Sequence, residues 1–180
     1  MDSAKPLVER KHAITKDSCE ALFNTLYQQY HVELCSYLAR LTGNSERAEE
    51  LMHETFIRAY RALLGGAEWD NPRAWLFRVA SRLAINEHRR QQIIAWVPLL
   101  RPESVPSPGI ESATLERVAV QAALNALPTK YRIPLVLYVY EDQPVAQIAE
   151  ILDLSLSAVK MRLSRARELF HRAYTRGESV

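Results

Sequence analysis

The residues with the most evident chemistry in this chain are basic ones on helical faces. The stretch "SAVKMRLSRAR", Ser157 to Arg167, sets Lys160, Met161, Arg162, Ser164, Arg165 and Arg167 on the side of a helix away from Val159, Leu163 and Ala166. Glu168 alone stands against that charge, so no ladder of i,i+4 acids neutralises it. A helix of this kind fits the major groove of B-DNA, where arginine and lysine reach guanine edges and phosphates. Before it runs a shorter apolar helix, opened by Pro144, with Val145, Ile148, Ala149 and Leu152 facing inward. The turn "DLS" joins them: Asp153 tolerates a left-handed backbone better than most residues, and Ser155 is a helix cap. Two helices joined this way form a helix-turn-helix.

A second basic surface lies in "NPRAWLFRVASRLAINEHRR". Asn71 suits an N-cap and Pro72 the first helical position. Arg73, Arg78, Arg82, Arg89 and Arg90 are interleaved with Trp75, Phe77 and His88, and Glu87 is the only acid. Charge follows a nucleic-acid backbone while rings accept splayed bases, so this pattern suits unpaired strands. With Trp75, Leu76, Val79, Ala80 and Leu83 as the inner face, Phe77 and the loop residue Trp69 become the stacking candidates. A third, acidic surface carries Glu46, Glu49, Glu50 and Glu54. From spacing alone it reads as a solvated helix face with pairs such as Glu54–Arg58.

Catalytic and metal motifs are not found. There is no glycine-rich phosphate loop and no G-x-S-x-G elbow, and His53-Glu54 lacks the second histidine of a zinc protease. Cys19 and Cys35 are the only cysteines, and His31 with Cys35 is assigned to core packing. The expectation is a protein that is not an enzyme, with no metal, no cofactor and no small-molecule substrate. No apolar run approaches the ~18 residues of a membrane span, and the N-terminus has no apolar signal core. A cytoplasmic chain without membrane insertion is expected.

The elements that position these surfaces follow from periodicity across 180 residues, of which 48% are hydrophobic. One helix is expected from about Asp17 to Leu41, with Leu22, Phe23, Leu26, Tyr27, Tyr30, Leu34 and Leu38 on one face. Gly43 stops it. Asn44 or Ser45 caps a second, lined by Ala48, Leu51, Met52, Thr55, Phe56, Ala59, Tyr60 and Leu63, which Gly65-Gly66 ends. The third runs from Pro72 to Arg90. Pro98, Pro102, Pro106 and Pro108 then break the pattern. Helical spacing returns from Ala113. "LVLYVY" is rich in strand formers, but with no second strand to pair with it reads as a short helix interrupted by Pro134. The last helix buries Val159, Leu163, Ala166, Phe170 and Tyr174. The fold class is all-α, two helical bundles on a proline-rich linker. The boundaries are a tail 1–16, a domain 17–90, a linker 91–112, a domain 113–175 and a tail 176–180.

"SERAEELMHETFIRAYRAL", "PRAWLFRVASRLAINEHRR" and "LPTKYRIPLVLYVYEDQPVAQIAEILDLSLSAVKMRLSRARELF" together resemble the extracytoplasmic-function (ECF) sigma factors of bacterial RNA polymerase. The resemblance implies sigma region 2 and region 4 bundles. It implies that the acidic helix, around Glu49, Glu50, His53 and Glu54, meets the β′ coiled coil of core polymerase, with the β flap a further contact. The "GGAEWDN" loop and basic helix, through Trp69, Arg73, Phe77, Arg78, Arg82, Asn86, Arg89 and Arg90, would hold the −10 strand of promoter DNA. Ser155, Ser157, Lys160, Met161, Arg162, Ser164, Arg165 and Arg167 would read the −35 duplex. Met161, where serine is more usual, would offer an apolar contact to a thymine methyl. An anti-sigma factor covering both bundles is a further implied partner. The residues by themselves also admit a conventional repressor or activator, dimeric on a palindromic site, or a pure protein-binding module.

Overall fold

The computed structural model describes residues 16–95 and 115–177, and in these it contains seven α-helices and no strand. They are α1 (Lys16–Thr42), α2 (Ser45–Leu64), α3 (Pro72–Ala95), α4 (Leu115–Ala126), α5 (Thr129–Val139), α6 (Val145–Leu152) and α7 (Leu156–Gly177). The first three pack on one another, and the last four form a second unit around α7. Helix α3 runs past the expected end at Arg90 as far as Ala95. Helix α1 takes in Lys16 from the expected tail 1–16, and α7 runs to Gly177, into the expected tail 176–180; residues 1–15, 96–114 and 178–180 lie outside the described residues.

Side-chain caps fix the helix starts. Asn44, rather than Ser45, caps α2, its Oδ1 accepting the Arg47 N–H at 2.9 Å. Asn71 Oδ1 accepts the Ala74 N–H at 3.0 Å, and Ser155 Oγ the Ala158 N–H at 3.2 Å. Asp153 adopts φ 55° and ψ 53°, the left-handed turn that lets α7 leave α6 at once. In α5 the strand formers become helical: Arg132 through Leu137 are buried, Pro134 among them, while Tyr138 and Val139 are exposed. Tertiary burial outweighs the local β preference there.

The stripe of α2 is buried as expected, with Tyr60 half-buried. Two stripes are corrected. On α1, Leu22 is exposed, and Tyr37 is fully buried instead, its hydroxyl 2.7 Å from Ser81 Oγ. On α3 the inner face is Ala74, Leu76, Phe77, Ala80, Ser81, Leu83 and Ala84, while Trp75 and Val79 are only half-buried.

The two units dock on each other, and their cores form one continuous cluster from Leu34 to Ala166. Helix ends make the joint. The last carbonyls of α1 have no intrahelical donor, and the second unit supplies donors: Gln121 Nε2 reaches the Arg40 carbonyl at 3.2 Å, Arg132 Nη1 the Leu41 carbonyl at 2.6 Å. Arg132 Nη2 also binds the carbonyls of Asn125 and Leu127, at 2.7 and 3.0 Å. Gly43 follows at φ 69°, and a β-carbon there would lie 2.7 Å from Asn125 Nδ2. Glycine takes that backbone angle without strain and leaves room for the Asn125 amide.

Candidate nucleic-acid interface

Helix α7 presents its charge to solvent. Val159, Leu163 and Ala166 are buried, Lys160, Ser164, Arg165 and Arg167 are exposed, and Met161 is 65% exposed. Arg165 pairs with Glu168 at 2.6 Å along the same face, and the Arg167 guanidinium lies 5.2 Å from the Tyr138 ring centroid. Arg162 is half-buried beside α3 and α5. Ser155 and Ser157 are exposed at the helix start, their hydroxyls 3.0 Å apart. Seven of the eight residues expected at the duplex lie exposed on this side, and Arg162 turns toward α3 and α5.

Helix α3 is different. Arg82, Asn86, Arg89 and Arg90 are exposed along one side. Arg73 is instead drawn into the joint, ion-paired to Glu33 and donating to the Glu141 carbonyl at 3.2 Å. Arg78 donates to the Glu150 carbonyl of α6 at 2.8 Å. Phe77 is fully buried, its ring centroid 4.9 Å from that of Tyr37, so it is a core residue and not a stacking platform. Trp69 is half-buried and already stacked on Trp75, centroids 4.4 Å apart. Of the expected strand-binding set, Arg82, Asn86, Arg89 and Arg90 are exposed, Arg90 in a pair with Glu87, while Arg73 and Arg78 reach into the joint and Phe77 into the core.

The single acid of α3 is structural. Glu87 is buried, and its carboxylate takes Arg47 at 2.5 Å, Arg90 at 3.3 Å and the Gln91 amide at 3.0 Å. Burial alone would raise the carboxyl, but hydrogen bonds and charge from Arg47, with Arg90 and Gln91, outweigh it and hold its pKa below the ordinary range. Arg47 also pairs with Glu50, so Glu50, Arg47, Glu87 and Arg90 form one row from the acidic helix to the basic one. On α2, Glu49, Glu50 and His53 are exposed and Glu54 is half-exposed, with Arg58 at 2.9 Å from Glu54.

At the joint, burial and the neighbouring Glu33 push the Glu141 carboxyl up to about 7, against the opposing charges of Arg40 and Arg73. Cys19 is buried, its thiol donating to the Leu63 carbonyl, while burial and then Glu49 push the Cys35 thiol up. Sequence reasoning did not single out Arg132 or Arg47. The partners that tie them across the fold, the Leu41 carbonyl and Glu87, are remote in sequence, and nothing local signals those contacts.

Comparison with known proteins follows this geometry. Residues 26–93 match the sigma-70 region 2 family, and residues 117–170 match sigma-70, region 4. The chain is 30% identical over 148 residues to the RNA polymerase sigma factor YlaC of Bacillus subtilis, covering 79% of this chain and 86% of that protein. It is 32% identical over 150 residues to the ECF RNA polymerase sigma factor SigL of Mycobacterium tuberculosis, covering 81% and 85%. Among solved structures its fold resembles the sigma factor RpoE crystallised with the anti-sigma factor NepR from Bartonella quintana. The TM-score is 0.71 at 21% identity, over 85% of this chain and 96% of that one. It also resembles CnrH in complex with the cytosolic domain of CnrY, with a TM-score of 0.64 at 23% identity over 85% and 87%.

Proposed function

The chain belongs to the ECF RNA polymerase sigma factors, and on that premise we propose how its surfaces divide the work of promoter-specific initiation. Residues 17–90 are the polymerase-binding and −10 unit, and residues 113–175 are the −35 unit. Helix α7 enters the major groove with Lys160, Met161, Arg162, Ser164, Arg165 and Arg167, while Ser155 and Ser157 meet the backbone. Arg82, Asn86, Arg89 and Arg90 follow the unpaired −10 strand beside Trp69. Glu49, Glu50, His53 and Glu54 engage core polymerase.

The observation that carries this reading is the exposed basic face of α7, buried on its other side against α4 and α5. The chain supplies recognition and the polymerase supplies catalysis, so the protein itself is not an enzyme. Energy from binding flipped bases offsets unstacking of a few kcal/mol per step. It acts in the cytoplasm, where polymerase and promoter are, and an anti-sigma factor is its regulator. No helix among the described residues is long and apolar enough to cross a membrane.

Run-off transcription tests the assignment. Purified protein with bacterial core polymerase, on a library of promoters, gives defined start sites absent with core alone. No transcript, together with dimeric binding to palindromic duplex DNA, would replace the reading with a repressor.

A further inference from the structure

Between the two units lies a cavity of ≈ 450 Å³, walled by α3, the start of α5, the end of α6 and α7. Its size falls within the ~300–1,000 Å³ of small-molecule sites. Arg89, Lys130 and Arg162 converge on it, and no carboxylate lines it. None of the three has an ion-pair partner among the described salt bridges. Like charges brought together by docking repel one another unless an anion joins them.

The rest of the wall has the character of a ligand site. Helix α5 opens here at Pro128, which gives no side-chain cap, so the positive end of the helix faces the same space. Thr129 lines the cavity, and its Oγ1 is buried without a hydrogen-bond partner. Ile85, Ile133, Pro134 and Leu152 add apolar surface to the same cavity. Burial, and then the charge of Arg132, hold the His88 imidazole below its ordinary range, and His88 lines the same wall.

We propose that this cleft binds a nucleoside polyphosphate, its phosphates against Arg89, Lys130 and Arg162 and its base against Ile85, Ile133 and Leu152. Guanidinium forks match phosphate oxygens in pairs, and the lysine adds a point charge. Binding holds the two units together. Because Arg89 belongs to the −10 surface and Arg162 to the −35 surface, an occupied cleft withholds both from promoter DNA. That regulatory step rests on the family reading; the binding itself does not.

Calorimetry on the full chain, titrated in turn with ATP, GTP and inorganic tripolyphosphate at one ionic strength, tests the site. Saturable one-to-one binding of a nucleotide is expected, at least about tenfold tighter than tripolyphosphate. Lys130→Glu should weaken it at least about tenfold and Thr129→Val about threefold, the effects of one lost charge-assisted and one lost neutral hydrogen bond. Lys130 is exposed and lies outside the surfaces assigned to polymerase and promoter, so the variant should melt as the parent does. If it does not, Lys130→Gln replaces it. Absence of saturable binding, equal affinity for tripolyphosphate, or unchanged affinity in the lysine variant overturns the proposal. Anisotropy of a −35 duplex with the nucleotide-free protein separates the two readings: duplex binding without nucleotide binding sinks the cleft alone, and nucleotide binding without duplex binding sinks the promoter assignment.

Discussion

Helices α3 and α7 are both amphipathic, both rich in arginine, and put that charge to different use. On α7, Lys160, Arg165 and Arg167 stand in solvent over a buried stripe, with one i,i+3 pair to Glu168. On α3, Arg73 and Arg78 reach across to the second unit, and Arg90 is tied to a buried glutamate. The difference separates charge held ready for a partner from charge that holds the fold. Counting arginines on a helix does not distinguish them; the acceptors around each one do.

Five substitutions test that contrast, beginning with the largest effect. Phe77→Ala should destabilise the protein by about 3–5 kcal/mol in chemical denaturation, because a fully buried ring packed on Tyr37 is removed. A near-neutral effect would return Phe77 to the surface and revive it as a stacking residue.

Next is the carboxyl cluster around Arg73. Glu141 keeps its proton up to about 7 in the folded protein, above its ordinary value, so between those two pH values the folded state binds more protons than the unfolded one. Stability should therefore fall as pH rises through that window, by on the order of 2–3 kcal/mol, and level off above it. Glu141→Gln should flatten the slope in denaturant titrations run from pH 4.5 to 8. An unchanged slope would place its origin elsewhere.

For α7 the expectation is the opposite balance. Lys160→Ala and Arg165→Ala should each weaken −35 duplex binding by about 1–3 kcal/mol while shifting stability by less than about 0.5 kcal/mol. Fluorescence anisotropy and thermal melting on the same samples would separate the two effects, and a large stability loss would erase the contrast between the helices. Smallest is Arg73→Ala, which should cost about 1 kcal/mol of stability, since the Glu33 pair and the Glu141 carbonyl are both partly buried. Lost −10 binding without lost stability would reassign Arg73 to the promoter.

Much of this was legible in sequence because it is local. Caps at Asn71 and Ser155, the left-handed Asp153 and the eight-residue stripe of α2 depend on neighbours within a turn or two. The rotation of α3 was not legible. "AWLF" offers adjacent apolar residues, and one step of 100° decides whether Trp75 or Phe77 faces inward. Tyr37, forty residues away, settles it by packing on Phe77. The joint was likewise hidden, since Arg132 acts on the carbonyls of Leu41, Asn125 and Leu127, and a carbonyl has no sequence signature.

The row Glu50–Arg47–Glu87–Arg90 carries one more consequence. Arg47 is shared between two acids, and Glu87 between two arginines. A cation that draws Glu50 away leaves Arg47 wholly to Glu87, which then competes less for Arg90. Linkage makes the effect mutual: a phosphate that takes Arg90 strengthens the Arg47–Glu87 pair and frees Glu50. Occupancy on the acidic helix and occupancy on the basic helix should thus each raise the affinity of the other, with no movement of backbone between them.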